Sequence, residues 1–77
     1  MRLQVLFFGV LREVAGERQM EIENIKDTLM LQKHLESSFP KLSKYTYRLA
    51  LNQEIIKGNP LLKDGDVVAV MPPFAGG

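Results

Sequence analysis

The longest helical pattern in this sequence lies between Asp27 and Pro40, and strand patterns flank it on both sides. Asp27 or Thr28 can cap the first turn, and Leu31 and Leu35 form an apolar stripe on one helix face. The helix should end near Ser38, because Pro40 cannot continue it. A single helix of this kind must bury its stripe against a sheet, which restricts the fold to few arrangements.

Alternating or continuous apolar residues predict the strands of that sheet. The predicted strands are residues 2–8, 18–23, 48–52, 54–57 and 66–71, with a short helical turn within 10–14 and a polar loop over 41–46. Val67–Val70 is almost entirely apolar, as expected for a central strand. The sequence therefore predicts an α+β domain over residues 1–71, with one mixed sheet packed on one main helix and a flexible C-terminal tail over residues 72–77.

The composition excludes several kinds of site. The chain has 77 residues, a net charge of +1, no cysteine and a single histidine, His34. Without cysteine there is no disulfide, thiolate metal site or thiol nucleophile, and one histidine cannot form a metal cluster, so no metal site is expected. The small net charge argues against a nucleic-acid partner. No apolar run approaches the roughly 20 residues of a membrane span, and no export signal is apparent, so we expect a cytoplasmic protein without a membrane partner.

The last residues form a tail with an unusual composition. Pro72 and Pro73 donate no backbone hydrogen bonds and favour extended backbone, so they should direct a stiff arm away from the sheet. Phe74 is an expected aromatic anchor for a partner. Ala75 and Gly76 have little bulk and suit a narrow channel. We therefore expect all five residues to enter a partner.

Gly77 follows this arm and carries the candidate reactive group, the terminal carboxylate. A carboxylate can attack the α-phosphate of ATP and become an acyl-adenylate, which a sulfur or nitrogen nucleophile then attacks. The nucleotide site, metal and electrophilic groups must come from a partner enzyme. We expect no tightly bound cofactor in this chain and no catalysis by its own side chains.

Five segments of the chain together resemble a known family. They are Val5–Phe8, Arg12–Gly16, Leu51–Gln53, Asp64–Ala69 and the ending Pro72–Gly77. In their order and in the final Gly-Gly, they resemble the ubiquitin-like β-grasp sulfur carriers. The chain is most similar to the family of molybdopterin synthase small subunits, and the resemblance runs from end to end.

This resemblance implies a β-grasp fold and a cycle of sulfur transfer. An adenylyltransferase similar to ubiquitin-activating enzymes would adenylate Gly77, and a sulfur donor protein would convert it to a thiocarboxylate. The carrier would then place its tail in the large synthase subunit and give its sulfur to cyclic pyranopterin monophosphate. The family suggests a heterotetramer with two copies of each subunit, in which this chain donates sulfur without being catalytic itself.

The alternation of the first, third and last predicted strands also predicts a partner surface. Its apolar members are Leu6, Phe8, Ala50, Ala69 and Met71. Arg12 and Arg48 are expected at its rim. A contiguous apolar surface of this kind often marks a binding site. Leu6 and Phe8 have an alternative, which is to pack against the 10–14 segment, and Arg12 has the alternative of a solvated helical turn.

Other functions stay open at this point. Thiamine-pathway carriers share the fold, the Asp-Gly-Asp turn and Gly-Gly, but usually lack the Arg-Glu-x-x-Gly segment and double proline that this sequence has. Related proteins serve transfer-RNA thiolation or become attached to other proteins. A plain interaction domain with an inert tail is a further alternative, because a terminal Gly-Gly alone is a weak signal.

Overall fold

A computed structural model describes residues 1–73 of the chain. The elements are β1 (Arg2–Phe7), α1 (Val10–Ala15), β2 (Gln19–Glu23), α2 (Thr28–Ser38), a 3₁₀ helix (Pro40–Lys44), β3 (Arg48–Leu51), β4 (Glu54–Ile55) and β5 (Val67–Met71). Within the described residues the strands form one sheet in the order β2-β1-β5-β3-β4. The β1–β5 pair is parallel and the other pairs are antiparallel. The predicted α+β fold, with one mixed sheet and one main helix, is confirmed.

The two faces of the sheet differ because strand side chains alternate. Leu3, Val5 and Phe7 are almost completely buried on the inner face, where they join Leu31 and Leu35 of α2 in the core. The predicted helix stripe is therefore the face that packs on the sheet. β5 lies at the centre of the sheet, as the apolar run Val67–Val70 predicted, and β1 lies beside it.

Local signals set both ends of α2. The side chain of Asp27 accepts a hydrogen bond from the Met30 amide at 2.9 Å, so Asp27, rather than Thr28, is the N-cap. Phe39 leaves the helical conformation immediately before Pro40. Its ring packs edge-on against Phe7 with the centroids 5.8 Å apart, which connects the end of the helix to the sheet.

The segment after α2 differs from the predicted polar loop. Pro40–Lys44 forms a 3₁₀ helix in which Leu42 is fully buried. Pro40 fixes the φ angle at the start of the turn. Burial of the Leu42 side chain in the core stabilises the turn, although its neighbours Lys41, Ser43 and Lys44 are polar. The Tyr47 hydroxyl donates a hydrogen bond to the Glu36 carboxylate, which links the end of this segment to α2. Burial, together with that bond to a carboxylate, raises the pKa of Tyr47 well above its usual range.

A two-residue turn joins β3 to β4 and is tied to the start of β5. Asn52 and Gln53 have φ values of 48° and 76°, the left-handed pair typical of tight hairpins. The amide of Asn52 donates to the Val67 carbonyl at 2.8 Å. Its side-chain oxygen accepts from the Val67 amide at 2.9 Å, and its side-chain nitrogen donates to Asp66 at 3.0 Å. One asparagine therefore aligns the turn with the central strand.

We expect Asn52→Ala to lower the free energy of unfolding by about 1–3 kcal/mol, since two side-chain hydrogen bonds are lost. Alanine also tolerates the left-handed conformation less well than asparagine does. Urea denaturation measures the change. Gln53→Ala is the matched control, because it shares the positive φ of the turn and leaves the Asn52 bonds in place. Equal losses for the two variants would show that the Asn52 side chain adds nothing specific.

Candidate docking groove and tail base

The outer face of the sheet carries an apolar groove of about 530 Å³. We call it the docking groove. It is lined by Leu6, Phe8, Ala50, Asn52, Gln53, Ile55, Val67, Ala69 and Met71. These residues belong to β1, β3, β4 and β5 or lie next to the ends of those strands, and they lie opposite the core face. The sheet therefore presents a continuous apolar concavity on the side away from α2.

Strand register explains why a concavity forms there. Ala69 on the central strand pairs with Leu6 on one side and Ala50 on the other, and Ala50 pairs in turn with Ile55. The two alanines occupy the middle of this row, and their short side chains leave space between the larger ones at its ends. Ala50 is only 4% exposed, whereas Ile55 is 44% exposed. Small central and large peripheral side chains thus shape the docking groove.

Arg12 stands beside one end of the docking groove. Its Nε donates a hydrogen bond to the Phe7 carbonyl at 3.0 Å, and its guanidinium lies 5.8 Å from the centre of the Phe8 ring. The short helix α1 holds Arg12 in this position, because Leu11 is buried beneath it and Gly16 ends the helix in a left-handed conformation. A cation stacked on an aromatic ring at a groove edge can bind an anionic or polar rim on a partner.

The seven residues predicted for the partner surface lie in or beside the docking groove. Five of them line the docking groove: Leu6, Phe8, Ala50, Ala69 and Met71. Arg12 adjoins it through Phe8. Arg48 is exposed and lies opposite Met71 in the β3–β5 ladder, so it stands beside the groove on the outer face, and it also borders a hollow beside Tyr47. Phe8 is 38% exposed and its ring also lies against Arg12 of α1, so it takes part both in the groove and in the contact with α1. The partner role of these residues stays a prediction.

Four lining residues were missed in the sequence. They are Asn52, Gln53, Ile55 and Val67. Two signals could have found the apolar pair: a two-residue turn at 52–53 puts Ile55 opposite Ala50, and alternation from Ala69 puts Val67 on the same face. The polar pair forms the turn itself, and its place at the groove end depends on how the hairpin twists.

The predicted tail begins on the body of the domain. Pro72 is buried, whereas Met71 before it and Pro73 after it are half-buried. A Cβ atom placed on Gly9 would lie only 2.9 Å from the Pro72 Cγ, so the proline ring rests directly on this glycine. The other predicted tail residues, namely Phe74, Ala75, Gly76 and the reactive Gly77, lie outside the described residues.

Two absences hold for residues 1–73 alone. In that part of the chain, no three histidine, cysteine, aspartate or glutamate residues come together in a way that could hold a metal ion. None of the helices described there has the length and apolar character required to cross a membrane. His34 is exposed on α2, in agreement with a surface role for this lone histidine.

Comparison with known proteins assigns the chain to a family. The model of the ThiS family matches residues 5–77. A molybdopterin synthase sulfur carrier subunit from Chlamydomonas reinhardtii is 39% identical and covers 100% of both chains. One from Mycobacterium tuberculosis is 36% identical over 99% of this chain and 98% of its own length.

A solved structure agrees with these relatives. A chain in the complex of subunits 1 and 2 of molybdopterin-converting factor from Helicobacter pylori is 31% identical, with a TM-score of 0.76 and complete coverage of both chains. The sheet order, the single main helix and the full-length matches lead to one assignment. The chain belongs to the ThiS family of ubiquitin-like β-grasp proteins, among relatives that are sulfur carrier subunits of molybdopterin synthase.

Proposed function

We propose that this chain is the sulfur carrier of molybdopterin biosynthesis and that its working group is the carboxylate of Gly77. The observation that carries the proposal is the end-to-end similarity to relatives named molybdopterin synthase sulfur carrier subunit, at 36% and 39% identity. The similarity extends through residue 77 in the family match. A role in molybdopterin biosynthesis is the general part of the proposal, and the chemistry below is its specific part.

The cycle begins with activation of the tail. A carboxylate oxygen of Gly77 attacks the α-phosphate of ATP on a partner adenylyltransferase, pyrophosphate leaves, and an acyl-adenylate results. A donor protein then supplies sulfur at the oxidation level of hydrosulfide; this sulfur attacks the acyl carbon, AMP leaves with the former carboxylate oxygen, and the chain ends as a thiocarboxylate. Within the synthase the terminal sulfur would bond to cyclic pyranopterin monophosphate, and water would then cleave the bond between that sulfur and the acyl carbon, which restores the Gly77 carboxylate. Two such transfers supply the two sulfurs of the dithiolene.

The docking groove gives this cycle a physical basis. Met71 lines the groove and is followed directly by the base of the tail. A partner that covers the groove is therefore placed at the point where the tail leaves the domain. The groove is apolar, with an arginine-capped phenylalanine at one end, and aromatic residues, methionine and arginine are enriched where proteins meet. Docking on this surface would bring the tail to the partner's active site at high effective concentration.

The large synthase subunit is the first proposed partner. Its support is the similarity to a chain from the complex of subunits 1 and 2 of molybdopterin-converting factor. The adenylyltransferase and the sulfur donor protein follow from the proposed chemistry. A heterotetramer with two copies of each synthase subunit, working in the cytoplasm, completes the proposal. ATP would be bound by the adenylyltransferase, since the chain needs no cofactor of its own to present a carboxylate.

Intact mass spectrometry tests the proposed chemistry directly. The chain is incubated with the adenylyltransferase, ATP and a sulfur source, and we expect one oxygen to be replaced by sulfur at the C-terminus. Omission of ATP should prevent the change, because a free carboxylate is a poor acyl donor. A mass that stays unchanged, while a known carrier is converted by the same enzymes, would contradict the proposal.

A further inference from the structure

The contact between Gly9 and Pro72 brings together residues that are far apart in the sequence. Pro72 is buried although it follows the last strand, and its ring carbon Cγ occupies the space next to the Gly9 backbone. A side-chain carbon at position 9 would be 2.9 Å from that atom, well inside the 3.5–4.0 Å optimum for two carbon atoms. Glycine at position 9 therefore leaves room for the proline ring.

Several interactions hold the Gly9 backbone in the position where the Pro72 ring contacts it. Gly9 has φ 57° and ψ −138°, a conformation that glycine adopts far more readily than other residues. Its carbonyl accepts the Arg12 amide at 3.1 Å, and the preceding amide, of Phe8, donates to the Val70 carbonyl at 3.0 Å. The β1–α1 junction is thus tied to β5 two residues before Pro72. These hydrogen bonds oppose a shift of the Gly9 backbone away from the position that accommodates the ring.

We infer that Gly9 and Pro72 form a positioning pair that fixes where the tail leaves the domain and in which direction, an inference that rests on the proposed function. Pro72 then belongs to the body of the carrier, and the segment that enters a partner begins at Pro73. Five residues from Pro73 to Gly77 can reach about 17 Å when fully extended. A fixed origin for so short an arm restricts the positions of its reactive end to those that match the partner's site.

The contact itself can be tested without any assay of function. We expect Gly9→Ala to destabilise the domain more strongly with Pro72 present than in a Pro72→Ala background. The reason is that alanine at position 72 lacks the Cγ atom that the new methyl group at position 9 would meet. The coupling in a double-mutant cycle should change the unfolding equilibrium constant by at least about threefold. Gly16→Ala is the matched control, since Gly16 also has positive φ but open space around it. Its effect should be the same in both backgrounds, and absence of coupling for Gly9 would overturn the pair.

The positioning role is tested with the adenylyltransferase, measuring pyrophosphate release at varied carrier concentration. We expect Pro72→Ala to lower kcat by about tenfold with little change in KM, because a misdirected tail reduces the reactive fraction of docked carrier. Pro73→Ala also removes one proline but leaves the Pro72 ring in contact with Gly9, so kcat should fall less for this variant. Equal losses for the two variants, or a higher KM with unchanged kcat for Pro72→Ala, would overturn the inference. If the wild-type chain itself led to no pyrophosphate release, the proposed function and the positioning role would both fail. The double-mutant cycle would still decide whether Gly9 and Pro72 are in contact.

Discussion

Deletion of Gly77 should abolish conversion to the thiocarboxylate and leave folding unchanged. The residue carries the acyl group of the proposed reaction, and the shortened chain would present its carboxylate one residue, or about 3.5 Å, short of the partner's nucleotide. Reacting atoms must approach to about 3–3.5 Å, so a displacement of this size removes them from reach. Intact mass after incubation with the adenylyltransferase, ATP and a sulfur source measures the conversion.

The free energy of unfolding is the control for this deletion. The described core lies entirely within residues 3–70, so urea denaturation of the shortened chain should match that of the wild type. A chain with one extra residue after Gly77 tests the same requirement from the other side, because its carboxylate would overshoot. Normal conversion of either variant would mean that the carboxylate need not stand at position 77, which would contradict the proposed role of Gly77.

Ala69→Asp should reduce affinity for the large synthase subunit by about 100-fold or more. Ala69 occupies the centre of the docking groove, between Leu6 and Ala50. A carboxylate there would be removed from water by the partner without a pairing charge, and an uncompensated buried charge typically costs about 3–5 kcal/mol. At about 1.4 kcal/mol per tenfold change in affinity, even the lower value corresponds to more than 100-fold. Titration calorimetry measures the loss.

Gln4→Asp is the matched control for the groove. Gln4 lies on the same outer face of β1, is exposed, and lies outside the lining of the docking groove. It adds the same negative charge to that face, so a general electrostatic effect would weaken binding for both variants. We expect affinity within about threefold of the wild type for Gln4→Asp, since exposed charges contribute little. Similar losses for both, or none for Ala69→Asp, would place the interface elsewhere.

The sequence was sufficient for the fold because its local signals agree with one another. Asp27 and Pro40 mark the limits of α2, and the alternation of β1 separates its inner and outer faces. The 3₁₀ helix was missed because a single buried leucine among polar residues gives no period to detect. The position of Leu42 is decided by tertiary packing, which overrides local polarity.

The candidate site could be predicted only in part. Alternation alone placed five residues of the docking groove, because three strands were correctly expected to be neighbours. Arg48 was expected at the rim, and its pairing with Met71 puts it on the outer face beside the groove, whereas Asn52, Gln53, Ile55 and Val67 were missed. The Pro72–Gly9 contact joins residues at opposite ends of the sequence. Gly9 is explained locally by a tight turn, and Pro72 by its place in the tail. Neither residue therefore predicted a contact with the other.

Parallel pairing of β1 with β5 has a consequence for how the domain folds. Gln4 of β1 lies opposite Val67 of β5, so the central strand of the sheet joins a partner that is distant in sequence. Contacts this distant slow folding, because a long loop must close before they form. We therefore expect a fragment that lacks β5 to remain unstructured, since β1 would then have only β2 beside it.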